Sequence, residues 1–285
     1  MARSADFTAY LRRLDVAAEP PSADALARLH RAHVERIPYE TFWIHLREGW
    51  GIGADESVRH IAHESRGGYC FQLNGAFAAL LTHLGYQVTR HVAGVHNATG
   101  PDEAALKNHA ALIVRGCASE ANPEGVWYVD TGLGDALHEP LPLRDGVFAQ
   151  GPTRFGLAAV RNGVGDWHFT HDQAGSFAGV SIVAAPTQMG TFRKRHVYNS
   201  TSAQSSFART VTAQRRDASG AAVLRGCVFS AKDTSITCAS RAEWLDLLAD
   251  EFGLRLSSPA PMISRLWTDV RRTHDEWLAS AQLSA

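Results

Sequence analysis

The chain has 285 residues, 45% of them hydrophobic and 20% charged, which is ample material for an extensive core and excludes a disordered or collagen-like polymer. With 28 basic and 29 acidic residues the net charge is −1, which argues against a general electrostatic binder of nucleic acid or membrane surface; an anionic partner has to be met by a local patch. Four cysteines, at 70, 117, 227 and 238, form no C-x-x-C pair and are too few for a disulfide framework, and no window of 18 apolar residues exists, so a reducing, cytoplasmic setting is expected.

From residue 6 to 86 the apolar pattern is helical. Phe7, Leu11 and Leu14 form one stripe, and Leu26, Leu29, His33 and Ile37 another, stopped by Pro38. Ser57 is expected to cap a short helix ending before Gly67-Gly68. Leu73, Phe77, Leu80, Leu81 and Leu84 then mark the clearest helix, closed by Gly85. After Gly85 the period changes. Stretches 87–95, 110–115, 126–131 and 181–185 are short, β-branched or aromatic, and bounded by Gly, Pro or Asn, with Asn162-Gly163 expected as a tight hairpin turn. Two more strands, 206–215 and 221–230, flank the turn-forming Asp217-Ala218-Ser219-Gly220. Ser240 and Glu243 predict a capping box for a helix carrying Trp244, Leu247 and Leu248 that stops at Gly253, and a last helix is expected over 262–281. The chain thus reads as an α+β protein: a helical bundle (1–86), a central antiparallel β-barrel (87–198) and a C-terminal α/β lid (199–285).

Cys70 follows a glycine pair and opens the long helix in Arg66-Gly67-Gly68-Tyr69-Cys70-Phe71, where partial positive charge favours thiolate and the glycines allow close approach to the sulfur. A thiol nucleophile needs a base, and the base an orienter. His109 stands at the entry of one strong strand and Asp130 at the exit of the next, so an antiparallel pairing brings them to one edge of the sheet. Cys, His, Asp in that order is the arrangement of papain-like and transglutaminase-like thiol enzymes. Fourteen histidines invite a metal reading, and His168 and His171 are spaced as H-x-x-H, but that spacing falls in a strand-like stretch where the two rings would not converge, so no metal is expected.

Arg66-Gly67-Gly68-Tyr69-Cys70-Phe71, Ile37-Pro38-Tyr39-Glu40, Asn108-His109, Val129-Asp130-Thr131-Gly132-Leu133-Gly134 and Ser200-Thr201-Ser202-Ala203-Gln204-Ser205-Ser206-Phe207 together resemble, in order and spacing, the motifs of the arylamine N-acetyltransferases. The resemblance runs from about residue 6 to 275 and implies the same bundle, barrel and lid, with the triad between the first two. It implies acetyl-coenzyme A as acyl donor and an arylamine, arylhydroxylamine or hydrazine as acceptor, as in xenobiotic metabolism. It further implies a buried ion pair between Glu40 and Arg66. Hydroxyls and backbone N–H groups at Ser200, Thr201 and Ser202, with Gly132 and Gly134 permitting close approach, are the expected donor contacts, and Tyr39, Tyr69, Phe71, Val95 and Leu133 the expected acceptor contacts. The basic run Arg193-Lys194-Arg195 is the expected site for coenzyme phosphates.

Three departures from the family pattern stand out. Leu133 replaces the usual aromatic between the glycines, Gln72 replaces a glutamate, and Thr41-Phe42 replaces Asn-Leu. None touches the triad, and Leu133 bears on the acceptor pocket. Two other enzyme readings remain open on the sequence: an amide synthase of the same fold fed by an acyl carrier protein, and a transglutaminase-like thiol hydrolase. From a different class, a non-catalytic binding module would keep the fold but needs no activated thiol.

Overall fold

The computed structural model describes residues 3–97 and 100–283. Its first part is helical: α1 (Ser4–Leu14), α2 (Ala23–Arg36), the short α3 (Phe42–His45), α4 (Ala54–His63) and α5 (Cys70–His83). The Ser22 hydroxyl starts α2 by accepting the Ala25 N–H at 3.1 Å, the side-chain cap that a first helical turn needs for its free donors. Ser57 plays no such part. Gly53 is the N-cap of α4, and the Ser57 hydroxyl, one turn inside, bonds back to the Gly53 carbonyl. Helix α5 is apolar on nearly every side because it is surrounded: Leu73, Phe77, Leu80 and Leu81 pack against Phe7 and Leu14 of α1, Leu26 and Leu29 of α2, and the barrel residues Leu112, Val114 and Val129. That shared core fixes the start of α5 against the barrel.

The eight strands β2 (Gln87–His96), β3 (His109–Arg115), β4 (Trp127–Val129), β5 (Leu141–Pro142), β6 (Gly146–Gln150), β7 (Thr153–Ala159), β8 (Trp167–Thr170) and β9 (Gly179–Thr187) form an antiparallel, nearly closed barrel in the order β5-β4-β3-β2-β9-β8-β7-β6. β1 (Tyr39–Glu40) joins a different sheet. Asn162-Gly163 lies in the wider connection 160–166, closed by the Val160 N–H on the Asp166 carbonyl, and not in a tight two-residue turn. The two histidines of the H-x-x-H stretch diverge as strand geometry requires: His168 stacks on His96 at 5.1 Å, while His171 approaches Asp135 at 3.5 Å. Among the described residues no group of three or more His, Cys, Asp or Glu is placed to hold a metal ion.

The remainder comprises α6 (Arg193–Thr201), α7 (Ser206–Arg209), the strands β10 (Thr212–Asp217), β11 (Gly220–Arg225), β12 (Val228–Ala231) and β13 (Thr234–Thr237), then α8 (Arg241–Phe252) and α9 (Ala260–Leu283). Its sheet runs β1-β10-β11-β12-β13, so a piece of the N-terminal third completes the C-terminal layer. Two expected strands divide. The stretch 206–215 begins as a one-turn helix because the Ser205 hydroxyl caps it at Phe207 N, and 221–230 breaks at Gly226, whose φ of +64° reverses the chain into β12. The turn at Asp217–Gly220 forms as the sequence suggests. Ser240 accepts the Glu243 N–H, but Glu243 reaches back to the Ala239 N–H, one residue earlier than a standard capping box. The boundary expected at 198/199 falls inside α6. Among the described residues, no helix is long and apolar enough to cross a membrane.

Candidate active site

Cys70 is the first residue of α5 and 4% exposed, at the bottom of a cleft of about 530 Å³ between the bundle, the barrel and the C-terminal layer. The turn before it needs its glycines. Gly68 has φ +136°, and a Cβ at Gly67 would stand 1.8 Å from the Pro38 carbonyl oxygen. Behind the turn the Arg66 guanidinium is buried between two carboxylates, Nε 3.1 Å from Glu40 Oε1 and Nη1 2.9 Å from Glu48 Oε2, and its face covers the Trp50 ring at 4.5 Å. Glu40 uses its other oxygen to accept the Phe42 N–H, and its own N–H bonds the Gly68 carbonyl. The expected Glu40–Arg66 pair is therefore a three-charge cluster that ties the glycine turn to the segment after β1.

His109 opens β3 and is 1% exposed. Its Nε2–H donates to Asp130 Oδ2 at 2.7 Å, since a carboxylate can only accept, and this leaves Nδ1 to face the Cys70 sulfur. Burial opposes the imidazolium, but the Asp130 carboxylate and then the Cys70 sulfur outweigh it and push His109 up to about 10. Asp130 follows β4 and accepts four hydrogen bonds. Asn74 Nδ2 (2.7 Å) and the Gly132 N–H (3.0 Å) reach Oδ1, while His109 and the Tyr128 hydroxyl (2.9 Å) reach Oδ2. Burial, followed by the same carboxylate, holds the Tyr128 phenol well above its usual range, so it remains a donor.

Neither Asn74 nor Tyr128 was singled out in the sequence, although both carry a signal: Asn74 lies four residues after Cys70, one turn along the same helix face, and Tyr128 lies two before Asp130, on the same side of a strand.

Of the other expected site residues, Tyr39, Val95, Gly132 and Leu133 line the cleft. At Gly132 a Cβ would meet the Cys70 Cα at 2.7 Å, so only glycine lets this loop approach the thiol. Tyr69 and Phe71 do not line the cleft. Tyr69 points away and donates to His196 Nδ1 at 2.7 Å, and Phe71 stacks on Phe192 at 5.1 Å, so both build the wall behind it. Gly134 is set back against Gln214. Ser200 and Thr201 also lie off the cleft, their hydroxyls returning to carbonyls of α6, and the Ser202 hydroxyl accepts the Gln204 N–H.

The basic run divides as well: Arg193 and Lys194 face solvent, and Arg195 lines the cleft with Arg209 and Arg225. These three guanidiniums make no ion pair among the described residues. Sequence reading overlooked the latter two because neither belongs to a basic run.

The departures have local explanations. The Gln72 amide accepts the Tyr69 N–H and donates to the Gly51 carbonyl, a double role that a carboxylate could not fill. Thr41 accepts the Thr212 N–H, and Phe42 packs on Trp244.

Comparison with known proteins places this arrangement. A family model described as N-acetyltransferase matches residues 22–260. Arylamine N-acetyltransferase / N-hydroxyarylamine O-acetyltransferase of Salmonella typhimurium is 31% identical over 133 residues, 46% of this chain and 45% of that protein. Proansamycin X synthase of Amycolatopsis mediterranei is 30% identical over 164 residues, 55% of this chain and 60% of that protein. The chain thus spans about half the length of the curated relatives it matches. Among solved structures, the arylamine N-acetyltransferase of Mycobacterium marinum in complex with CoA superposes with a TM-score of 0.80 at 24% identity, covering 94% of this chain and 99% of that one. The enzyme of Nocardia farcinica gives 0.77 at 28% identity over 92% and 93%. A Bacillus cereus neighbour, at 18% identity, is described with a Cys-His-Glu triad; this chain has aspartate as the third residue. The chain belongs to the arylamine N-acetyltransferase family.

Proposed function

We propose that this protein transfers an acetyl group from acetyl-coenzyme A, through a thioester on Cys70, to the nitrogen of an arylamine, arylhydroxylamine or hydrazine. The observation that carries this reading is the buried line from Cys70 through His109 Nδ1 and Nε2 to Asp130 Oδ2, at the bottom of an open cleft. In the first half-reaction the thiol proton already rests on His109, the sulfur attacks the thioester carbonyl, and the tetrahedral intermediate expels the coenzyme thiolate, which takes that proton from His109. In the second, the amine attacks the Cys70 thioester, His109 accepts the amine proton, and the Cys70 sulfur leaves. Asp130 holds the imidazole tautomer and balances its charge in both halves. An arylamine suits this scheme because its free base predominates at neutral pH.

For the donor, the support lies in Arg195, Arg209 and Arg225: three guanidiniums on the cleft wall with no ion pair among the described residues are the local patch that a chain of net charge −1 needs for coenzyme phosphates. In this reading the bundle supplies the nucleophile, the barrel the base and orienter, and the C-terminal layer the phosphate contacts. A cytoplasmic setting fits the four free cysteines. Steady-state rates with both substrates varied test the scheme. Parallel double-reciprocal lines are expected, and intersecting lines would exclude a double displacement.

A second reading, an amide synthase that takes a longer acyl chain from a carrier protein, is favoured by one observation. Leu133 lines the cleft where the family usually has an aromatic ring, which leaves more room beside the thiol. Comparing acetyl-coenzyme A with acyl-carrier thioesters as donors separates the two.

A further inference from the structure

His30, on α2, is completely buried and points out of the bundle toward the barrel, edge-on to Phe77 at 6.0 Å. Each of its ring nitrogens meets a main-chain carbonyl: Nε2 lies 3.1 Å from Asp130 O and Nδ1 3.0 Å from His138 O. The two carbonyls lie at either end of the loop whose Gly132 and Leu133 line the cleft. Burial pushes the imidazole down to about 4 against the pull of both carbonyls, so at neutral pH it carries one proton and can donate to only one of them.

The His138 end has other anchors. The His138 N–H donates to Gln150 Oε1 at 2.8 Å, His138 Nε2 meets Glu35 Oε1 at 2.6 Å, and Arg31 pairs with Glu139 at 2.7 Å. The Asp130 end is where the chain leaves β4 and bends so that its carboxylate can turn toward His109. The charged and titratable groups facing His30 are Asp130 and His138, with His33 one turn along α2.

We infer that His30 is a positioning residue of the triad: its Nε2–H, donated to the Asp130 carbonyl, fixes the main chain from which the Asp130 carboxylate reaches His109. The inference rests on the reading that Cys70, His109 and Asp130 act together. It ties a helix of the bundle, far from substrate, to the aim of the acid. Without that bond the Asp130 side chain keeps its donors and Thr131 keeps its bonds to Asn74, but the Asp130 carbonyl loses its side-chain anchor, the residue can pivot, and its hold on the His109 imidazolium weakens.

The test uses three variants of the full chain. In His30→Gln the side-chain amide reaches the place of Nε2 and keeps the Asp130 bond. In His30→Asn it reaches the place of Nδ1 and keeps only the His138 bond. In His30→Phe both are lost while the ring volume stays. The readout is the pH profile of Cys70 alkylation by iodoacetamide, followed on the Cys70 peptide by mass spectrometry, which needs no acyl donor. His30→Gln is expected to keep the wild-type profile. His30→Asn and His30→Phe are expected to move it about one pH unit toward alkaline and to react roughly tenfold more slowly at neutral pH.

The inference is overturned if all three match the wild type, if Asn keeps the profile and Gln does not, if all three shift alike, or if His30→Gln does not fold. His109→Ala serves as the control. An unchanged profile there removes the triad reading itself, whereas a changed profile there with unaffected His30 variants removes only the role of His30.

Discussion

Asn74 Nδ2 donates to Asp130 Oδ1 at 2.7 Å from the same helix face that carries Cys70 one turn earlier. One helix therefore sets both ends of the triad. The same amide nitrogen also donates to the Ala110 carbonyl, and its oxygen accepts from the Thr131 N–H and hydroxyl, so its orientation is determined by its partners. Asn74→Ala removes one of four hydrogen bonds to a buried carboxylate, about 1.5–3 kcal/mol for a charged partner, and is expected to slow acetylation of Cys70 roughly ten- to hundredfold. Asn74→Asp sets a carboxylate against Asp130 and is expected to be slower still. Single-turnover acetylation followed by quenched-flow mass spectrometry reads both.

The Arg66 cluster belongs to stability first. Arg66→Ala leaves Glu40 and Glu48 facing each other without their cation, and for a buried pair that loss is about 3–5 kcal/mol. Urea unfolding should show an unfolding free energy lower by that amount, with the midpoint shifted down accordingly. Because the cluster holds the turn before Cys70, residual activity should fall even well below the unfolding transition.

Acid should destabilise the fold through the bundle histidines. His30 is pushed down to about 4 by burial, so it contributes stability that is present above about pH 6.5, its ordinary value, and is lost as pH falls through about 4. His33 is held well below its ordinary value by the same cause, and neither of its ring nitrogens has a hydrogen-bond partner among the described residues. His33→Leu removes an unsatisfied buried polar group and is expected to stabilise the fold by about 1 kcal/mol and to flatten the acid limb. His109 has the opposite sign: raised to about 10, it contributes stability fully present below about pH 6.5 and lost as pH rises through about 10. Thermal midpoints measured across pH for wild type and His33→Leu check both limbs.

Coenzyme affinity is expected to depend on Arg209 and Arg225 more than on the denser run at Arg193-Lys194. Arg209→Gln and Arg225→Gln should each raise the KM for acetyl-coenzyme A several-fold with kcat little changed, an effect that added salt reduces. Arg193→Gln and Lys194→Gln, on the solvent face of α6, should leave it unchanged. The reverse pattern would return the phosphates to the basic run.

The bundle, the barrel and the C-terminal layer were legible because their signals are local: the stripe from Leu73 to Leu81, the change of period after Gly85, the turn at Asp217–Gly220. Cys70, His109 and Asp130 were legible as a trio because each sits at the end of an element, where topology alone brings them together. Other features depend on pairings between distant segments. β1 leaves the bundle to pair with β10, Ser57 yields its capping role to Gly53, and Tyr69 turns from the cleft because His196, more than a hundred residues later, offers Nδ1. Arg209 and Arg225 are isolated in sequence and become a patch only when α7 and β11 fold onto one cleft. Ser200 and Thr201 looked like donor contacts, but inside a helix their hydroxyls bond to the preceding turn.

The central claim is that Cys70 carries the acyl group between two substrates. Intact-protein mass spectrometry after exposure to acetyl-coenzyme A alone, with no amine, tests it most directly. The wild type should gain a single acetyl mass, located on the Cys70 peptide and lost when an arylamine is added, and Cys70→Ala should gain none. A wild type that stays unmodified, or a Cys70→Ala variant that still takes up the label or transfers it, would contradict the account.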